Sequence, residues 1–107
     1  MSDSVNTISV SDLNKKISHL SKKECIIDVR SDDEYHTAHI EPSRHIPLDQ
    51  LDEHLEFLQN YDTIYFFCRS GNRSGKACQL LTPYLNATLY NVEGGILAWE
   101  NEKLPIN

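Results

Sequence analysis

The segment that decides the fold is IYFFCRSGNRSGKA, residues 64–77. It runs an apolar, aromatic stretch straight into Cys68 and then places two arginines, two serines and two glycines within seven positions. An ordinary turn between a buried strand and a helix takes about two to six residues and has no need of arginines. The composition therefore points to a loop that holds a reactive sulfur and faces an anion.

Working outward, two further apolar runs of β-branched and aromatic type resemble the one before Cys68: CIIDV (25–29) and ATLYNV (87–92). Together with TIYFFC (63–68) they read as buried strands, and shorter strands are expected near Ile8 and near His45 and Ile46. Helical patterns lie between them. SVSDLNKKISHL (9–20) opens on Ser9, with Asp12 three residues later in the manner of a capping box, and repeats Leu13, Ile17 and Leu20. LDQLDEHLEFL (48–58) sets Leu48, Leu51, Leu55 and Leu58 on one helical face. RSGKACQLLTPYL (73–85) does the same with Ala77, Leu80, Leu81 and Leu85, and Pro83 should end or kink that helix. GGILAWENEKL (94–104) gives a last short helix containing Trp99. Alternating strands and helices predict an α/β fold, a mostly parallel sheet covered on both faces. Such sheets bind ligands beyond the carboxyl ends of their strands, where Cys68 falls.

A free thiol with a pKa near ~8.5 is only about 3% thiolate at neutral pH. Lowering that value by two units takes roughly 2.7 kcal/mol of preferential stabilisation of the anion. The loop offers three sources of it. Backbone N–H groups at a helix N-terminus point toward an anion. Gly71 and Gly75 remove side-chain obstruction, so that successive N–H groups can converge. Arg69 and Arg73 add charge and can grip two oxygens of a tetrahedral anion, while Ser70 and Ser74 can donate hydroxyl hydrogen bonds or cap the helix.

The remaining composition narrows the classes. The chain has 107 residues, room for one domain with one core, and a formal net charge of −6. That charge argues against a nucleic-acid surface, and any anion binding must come from local groups. No apolar run is long enough for a membrane span, and the opening MSDSVNTISV lacks the pattern of a leader, so a cytoplasmic location is expected. Three cysteines, at 25, 68 and 78, with no close pair, argue against a disulfide framework, a four-cysteine zinc site and a thioredoxin-type redox pair. Metal and cofactor are not expected. Cys25 sits in an apolar strand and Cys78 lies ten positions beyond Cys68, about 15 Å along a helix, so both read as structural. A monomer is sufficient at this length.

The motifs resemble the single-domain rhodanese-like sulfurtransferases. CRSGNRS (68–74) is similar to the family's active-site loop, DVRSDDEYHTAHI (28–40) to its Asp-Val-Arg element, and EGGILAWENEKLPI (93–106) to its Gly-Gly and Trp ending. The similarity spans about residues 7–106, with Ala38 and Pro42 standing where glycine is usual. The resemblance implies a central, mostly parallel five-stranded sheet with helices on both faces. It implies Cys68 as the nucleophile that takes a sulfur from an anionic donor such as thiosulfate and passes it to cyanide, a thiol or a protein cysteine. It further implies that the N–H groups of residues 69–74, Asn72 among them, stabilise the persulfide, with Arg69 and Arg73 orienting the donor. Asp28, Arg30, His39, Gly94 and Gly95 are expected to support the loop, with an Arg30–Glu34 ion pair and Trp99 in the core. Two alternatives stay open. One is a persulfide carrier or sensing module for a partner protein. The other is a cysteine phosphatase or arsenate reductase on the same fold, although those space the cysteine and arginine one residue wider than Cys68 and Arg73.

Overall fold

Three of the apolar runs become the middle of a single sheet in the computed structural model, which describes residues 5–106. The strands are β1 (Asn6–Ile8), β2 (Glu24–Asp28), β3 (Arg44–His45), β4 (Thr63–Phe67) and β5 (Thr88–Val92). Their order across the sheet is β1-β5-β4-β2-β3 and every pair is parallel. The first four residues of the segment read as lacking a leader lie outside the described residues.

Period-two alternation sends β4 side chains to both faces. Ile64 and Phe66 join one apolar cluster with Cys25 and Ile27 of β2, while Tyr65 and Phe67 join the other with Ile26. Both faces are therefore buried, which is why these strands read as continuous apolar runs. On one face lie α3 (Leu55–Leu58) and α4 (Asn72–Leu81), contributing Leu58, Ala77, Cys78 and Leu81. On the other lie α1 (Val10–Ile17) and α5 (Gly95–Asn101), contributing Val10, Leu13, Ile96 and Trp99. The remaining helix, α2 (Asp32–Thr37), buries no side chain.

Local signals act much as expected, with three differences. Ser9 caps α1 by accepting from the Asp12 N–H at 3.0 Å, but the reciprocal capping box forms at Ser31 and Glu34, at the start of α2. Residues 48–58 are not one α-helix. Leu48–His54 is a 3₁₀ segment, and only Leu55–Leu58 is α-helical. Three residues per turn align Leu48 with Leu51, so the leucines reach the core by either route. Leu20 lies beyond the end of α1 yet still packs against the second cluster. Pro83 falls in a 3₁₀ turn, Thr82–Tyr84, immediately after α4 ends. No described helix is long and apolar enough to cross a membrane.

Trp99 fixes α5 to the sheet. It is 1% exposed, meets Phe67 edge-on at 6.2 Å, and donates its indole N–H to the Pro105 carbonyl at 2.7 Å. Replacing it with alanine should cost about 3–5 kcal/mol. Urea unfolding followed by circular dichroism should show this as a midpoint well below that of the parent protein.

Candidate functional site

Cys68 follows the last residue of β4, at the carboxyl edge of the sheet between β2 and β5. Its side chain is fully buried. The chain then folds back so that the Gly71 N–H donates to Sγ at 3.1 Å and the Ser74 N–H donates to it at 3.3 Å. The Ser74 hydroxyl lies 3.2 Å from Sγ. Gly71 makes the reversal possible, because its φ of 97° lies in the left-handed region that other residues rarely adopt. Burial pushes the Cys68 thiol up. The Ser74 hydroxyl and the Ser74, Gly71 and Ser70 N–H groups favour the anion and together bring the thiol below the ordinary cysteine range. Cys25 and Cys78 have no such array, and burial pushes each up to about 12.

The rest of the predicted loop divides by position. Arg69, Ser70 and Asn72 are exposed, and Ser74 is buried on the first turn of α4. Arg69 borders a shallow cleft that also has Asp33, Glu34, Ile96 and Glu100 along its sides. Arg73 is engaged elsewhere: its two terminal nitrogens donate to the two Glu34 carboxylate oxygens at 2.8 and 2.9 Å. The Arg73 hydrogen bonds hold the Glu34 carboxyl down to about 2, assisted by the Ser31 cap.

The expected Arg30–Glu34 pair is therefore not formed. Arg30 precedes α2, so the two residues do not share a helix face. Its guanidinium instead turns back on Asp28, with Nη2 at 2.8 Å and Nε at 3.0 and 3.1 Å from the carboxylate. Both partners are buried, and Nη2 also donates to the Ala38 carbonyl at 2.6 Å. Asp28 and Arg30 thus brace the segment after β2. His39 braces the next one: it stacks on Tyr35 at 4.1 Å and bonds the Tyr35 carbonyl and Glu41. None of these partners belongs to the cysteine loop.

Gly94 and Gly95 lie against the backbone of the cysteine loop, far closer than their sequence separation suggests. A Cβ on Gly95 would lie 2.2 Å from the Cys68 carbonyl oxygen. That approach lets the Ile96 and Leu97 N–H groups donate to the carbonyls of Cys68 and Arg69, at 2.9 and 3.1 Å. One site residue was missed from the sequence. Asn91 of β5 bonds both Gly71 and Ser74. The signal was a residue of poor strand propensity inside an otherwise apolar strand.

Comparison with known proteins places the chain as a whole. Residues 9–102 match the family model described as Rhodanese-like domain. The Bacillus subtilis protein named "Putative sulfurtransferase YtwF" is 37% identical over 103 residues, covering 96% of this chain and 98% of that protein. A second Bacillus subtilis protein, "Putative sulfur carrier protein YrkF", is 36% identical over 74 residues, 69% of this chain and 40% of its own length. Among solved structures, a rhodanese-related protein from Thermoplasma volcanium superposes with a TM-score of 0.83 at 30% identity, covering 95% of this chain and 97% of that one.

The Glu34–Arg73 pair should leave a signature in acid. The Glu34 carboxyl titrates near 2 when folded against an ordinary 4.5, so its contribution to stability is complete above about pH 4.5 and is lost as pH falls toward 2. Urea midpoints measured across that interval should fall less steeply for Glu34→Gln than for the parent protein.

Proposed function

The chain belongs to the rhodanese-like domain family, and on that footing we propose that it is a sulfurtransferase whose nucleophile is Cys68. The observation that carries this reading is the convergence of the Gly71 N–H, the Ser74 N–H and the Ser74 hydroxyl on one buried sulfur. Transfer of sulfur fits both the family and the relatives named for it. The donor, the acceptor and the persulfide step are our proposal.

In the first step the Cys68 thiolate attacks the outer sulfur of thiosulfate. A bond forms between Sγ and that sulfur, the sulfur–sulfur bond of the donor breaks, and sulfite leaves with the electron pair. In the second step cyanide, or a thiolate in the cell, attacks the outer sulfur of the persulfide and restores the Cys68 thiolate. The loop N–H groups of residues 69–74 hold the negative charge at each stage. Arg69 faces the cleft and orients the donor's oxygens, whereas Arg73 is committed to Glu34 and holds the loop to α2. Gly94 and Gly95 act on the geometry of the cysteine loop, and Asp28, Arg30 and His39 brace the segments on either side of α2, none of them touching the reacting atoms. The whole chain works as one domain, in the cytoplasm, with an anionic donor and a thiophilic acceptor.

A second reading has a specific observation behind it. One relative bears the name of a sulfur carrier, and the Cys68 sulfur is fully enclosed. On that reading the persulfide forms but leaves only to a matched protein cysteine.

Intact mass of the reduced protein before and after thiosulfate tests the proposal. The parent protein should gain one sulfur atom, lose it to cyanide, and turn over repeatedly. Cys68→Ser should gain none. A persulfide that cyanide does not discharge favours the carrier, and an unchanged mass in the parent protein rejects thiosulfate as the donor.

A further inference from the structure

Asn91 occupies a position that neither packing nor strand preference explains. It lies in β5, an interior strand, paired with Phe66 of β4. Asparagine is disfavoured in strands, and a polar amide in a sheet covered on both faces needs partners. Its partners all belong to the cysteine loop. Nδ2 donates to the Gly71 carbonyl at 3.0 Å, and Oδ1 accepts from the Ser74 hydroxyl. The loop is shaped to admit it: a Cβ on Gly75 would lie 3.1 Å from Nδ2.

The consequences concern the same two residues that hold the sulfur. Gly71 offers Sγ its N–H on one side and gives Asn91 its carbonyl on the other. Ser74 sets its hydroxyl between Sγ and Oδ1. A hydroxyl has one proton and two lone pairs. With that proton on Asn91, the Ser74 oxygen accepts the S–H of the neutral thiol. Once the thiol ionises, the hydroxyl proton turns toward the thiolate. The Asn91 amide holds the oxygen beside Sγ while it keeps that proton, and its Nδ2 bond to the Gly71 carbonyl persists in both states and keeps the Gly71 N–H on the sulfur.

The geometry points to Asn91 as a positioning residue that sets the acidity of Cys68 through Gly71 and Ser74 without touching the sulfur. This rests on Cys68 being the reactive thiol of the proposed function. Removing the amide releases the Gly71 carbonyl and leaves the Ser74 oxygen unheld in the neutral state, so neither residue keeps its fixed place at Sγ and the thiolate is harder to form. A carboxylate in its place removes the donor to Gly71 and adds a negative charge behind the thiolate, which opposes ionisation further.

The test is the rate of Cys68 alkylation by iodoacetamide against pH, read by intact mass on the full chain, with Cys68→Ser setting the background. For Asn91→Leu the profile should move to higher pH by about one unit, a roughly tenfold slower reaction at neutral pH. Asn91→Asp should move it further in the same direction. A role in packing alone predicts no dependence on charge at this position. Profiles that coincide with the parent's in both variants overturn the assignment. Where Asn91→Leu fails to fold, Asn91→Asp, which keeps the shape, decides by itself. Alkylation needs no sulfur donor, so a parent protein that takes up no sulfur overturns the sulfur-transfer reading and leaves this measurement to judge Asn91.

Discussion

The contact between the first turn of α5 and the start of the cysteine loop governs the geometry at the carboxyl edge of the sheet. Gly95 lies so close to the Cys68 carbonyl that no side chain fits there, and the next two N–H groups of α5 take the carbonyls of Cys68 and Arg69. Every peptide carries a donor and an acceptor that must both be placed. With the first two loop carbonyls turned toward α5, the N–H groups of Gly71 and Ser74 are left to close on the sulfur from the other side. The position of α5 is in turn set by Trp99 against Phe67, the residue just before Cys68. Core packing on one face of the sheet is thereby converted into polar geometry at its edge.

The wall on the other side of the loop is held by different means. Helix α2 has no fully buried side chain, and its Tyr35 ring is stacked between His39 and His45. Its other attachments are polar: Arg30 reaches the Ala38 carbonyl behind it, and Glu34 on its first turn takes both terminal nitrogens of Arg73. The Asp28–Arg30 pair beneath is buried, and such pairs gain little net stability because desolvation offsets attraction. What it supplies is direction. A guanidinium with a carboxylate on one side and a carbonyl on another has few orientations left, and the segment leading into α2 inherits that restriction.

Much of this was legible in the sequence, and the parts that were not have a common cause. The strands were readable because residues buried on both faces leave a continuous apolar run, as in IYFF and CIID. The cysteine loop was readable because arginines, serines and glycines crowded into one turn have no ordinary structural use. The alternation of strands and helices predicted a mostly parallel sheet and the family resemblance a five-stranded one; the structure makes every strand pair parallel. Partnerships across space were not readable. Spacing of four suggested Arg30 with Glu34, but a helical spacing rule applies only inside a helix, and Arg30 stands before one. Glu34 finds Arg73 thirty-nine residues away, a separation on which local pattern is silent. The leucines of residues 48–58 specified a buried face but not which helix type would present it, since spacings of three and four suit both.

The three cysteines form an internal comparison that separates burial from polarity. Cys25, Cys68 and Cys78 are 7%, 0% and 1% exposed, so exposure to solvent does not explain why Cys68 ionises most readily of the three. Burial alone raises a thiol's pKa, and it pushes Cys25 and Cys78 up to about 12. Burial pushes the Cys68 thiol up as well, and it still falls below the ordinary range. The difference lies in directed N–H and O–H groups, which act more strongly where water is excluded, because no solvent competes for the sulfur or screens its charge. Enclosure therefore strengthens the very interactions that offset its cost. Cys78 sits on the same helix as Ser74, in the same apolar cluster as Cys68. No apolar surrounding, however complete, would make it a comparable nucleophile, because the helix around it has already used its donors on its own backbone.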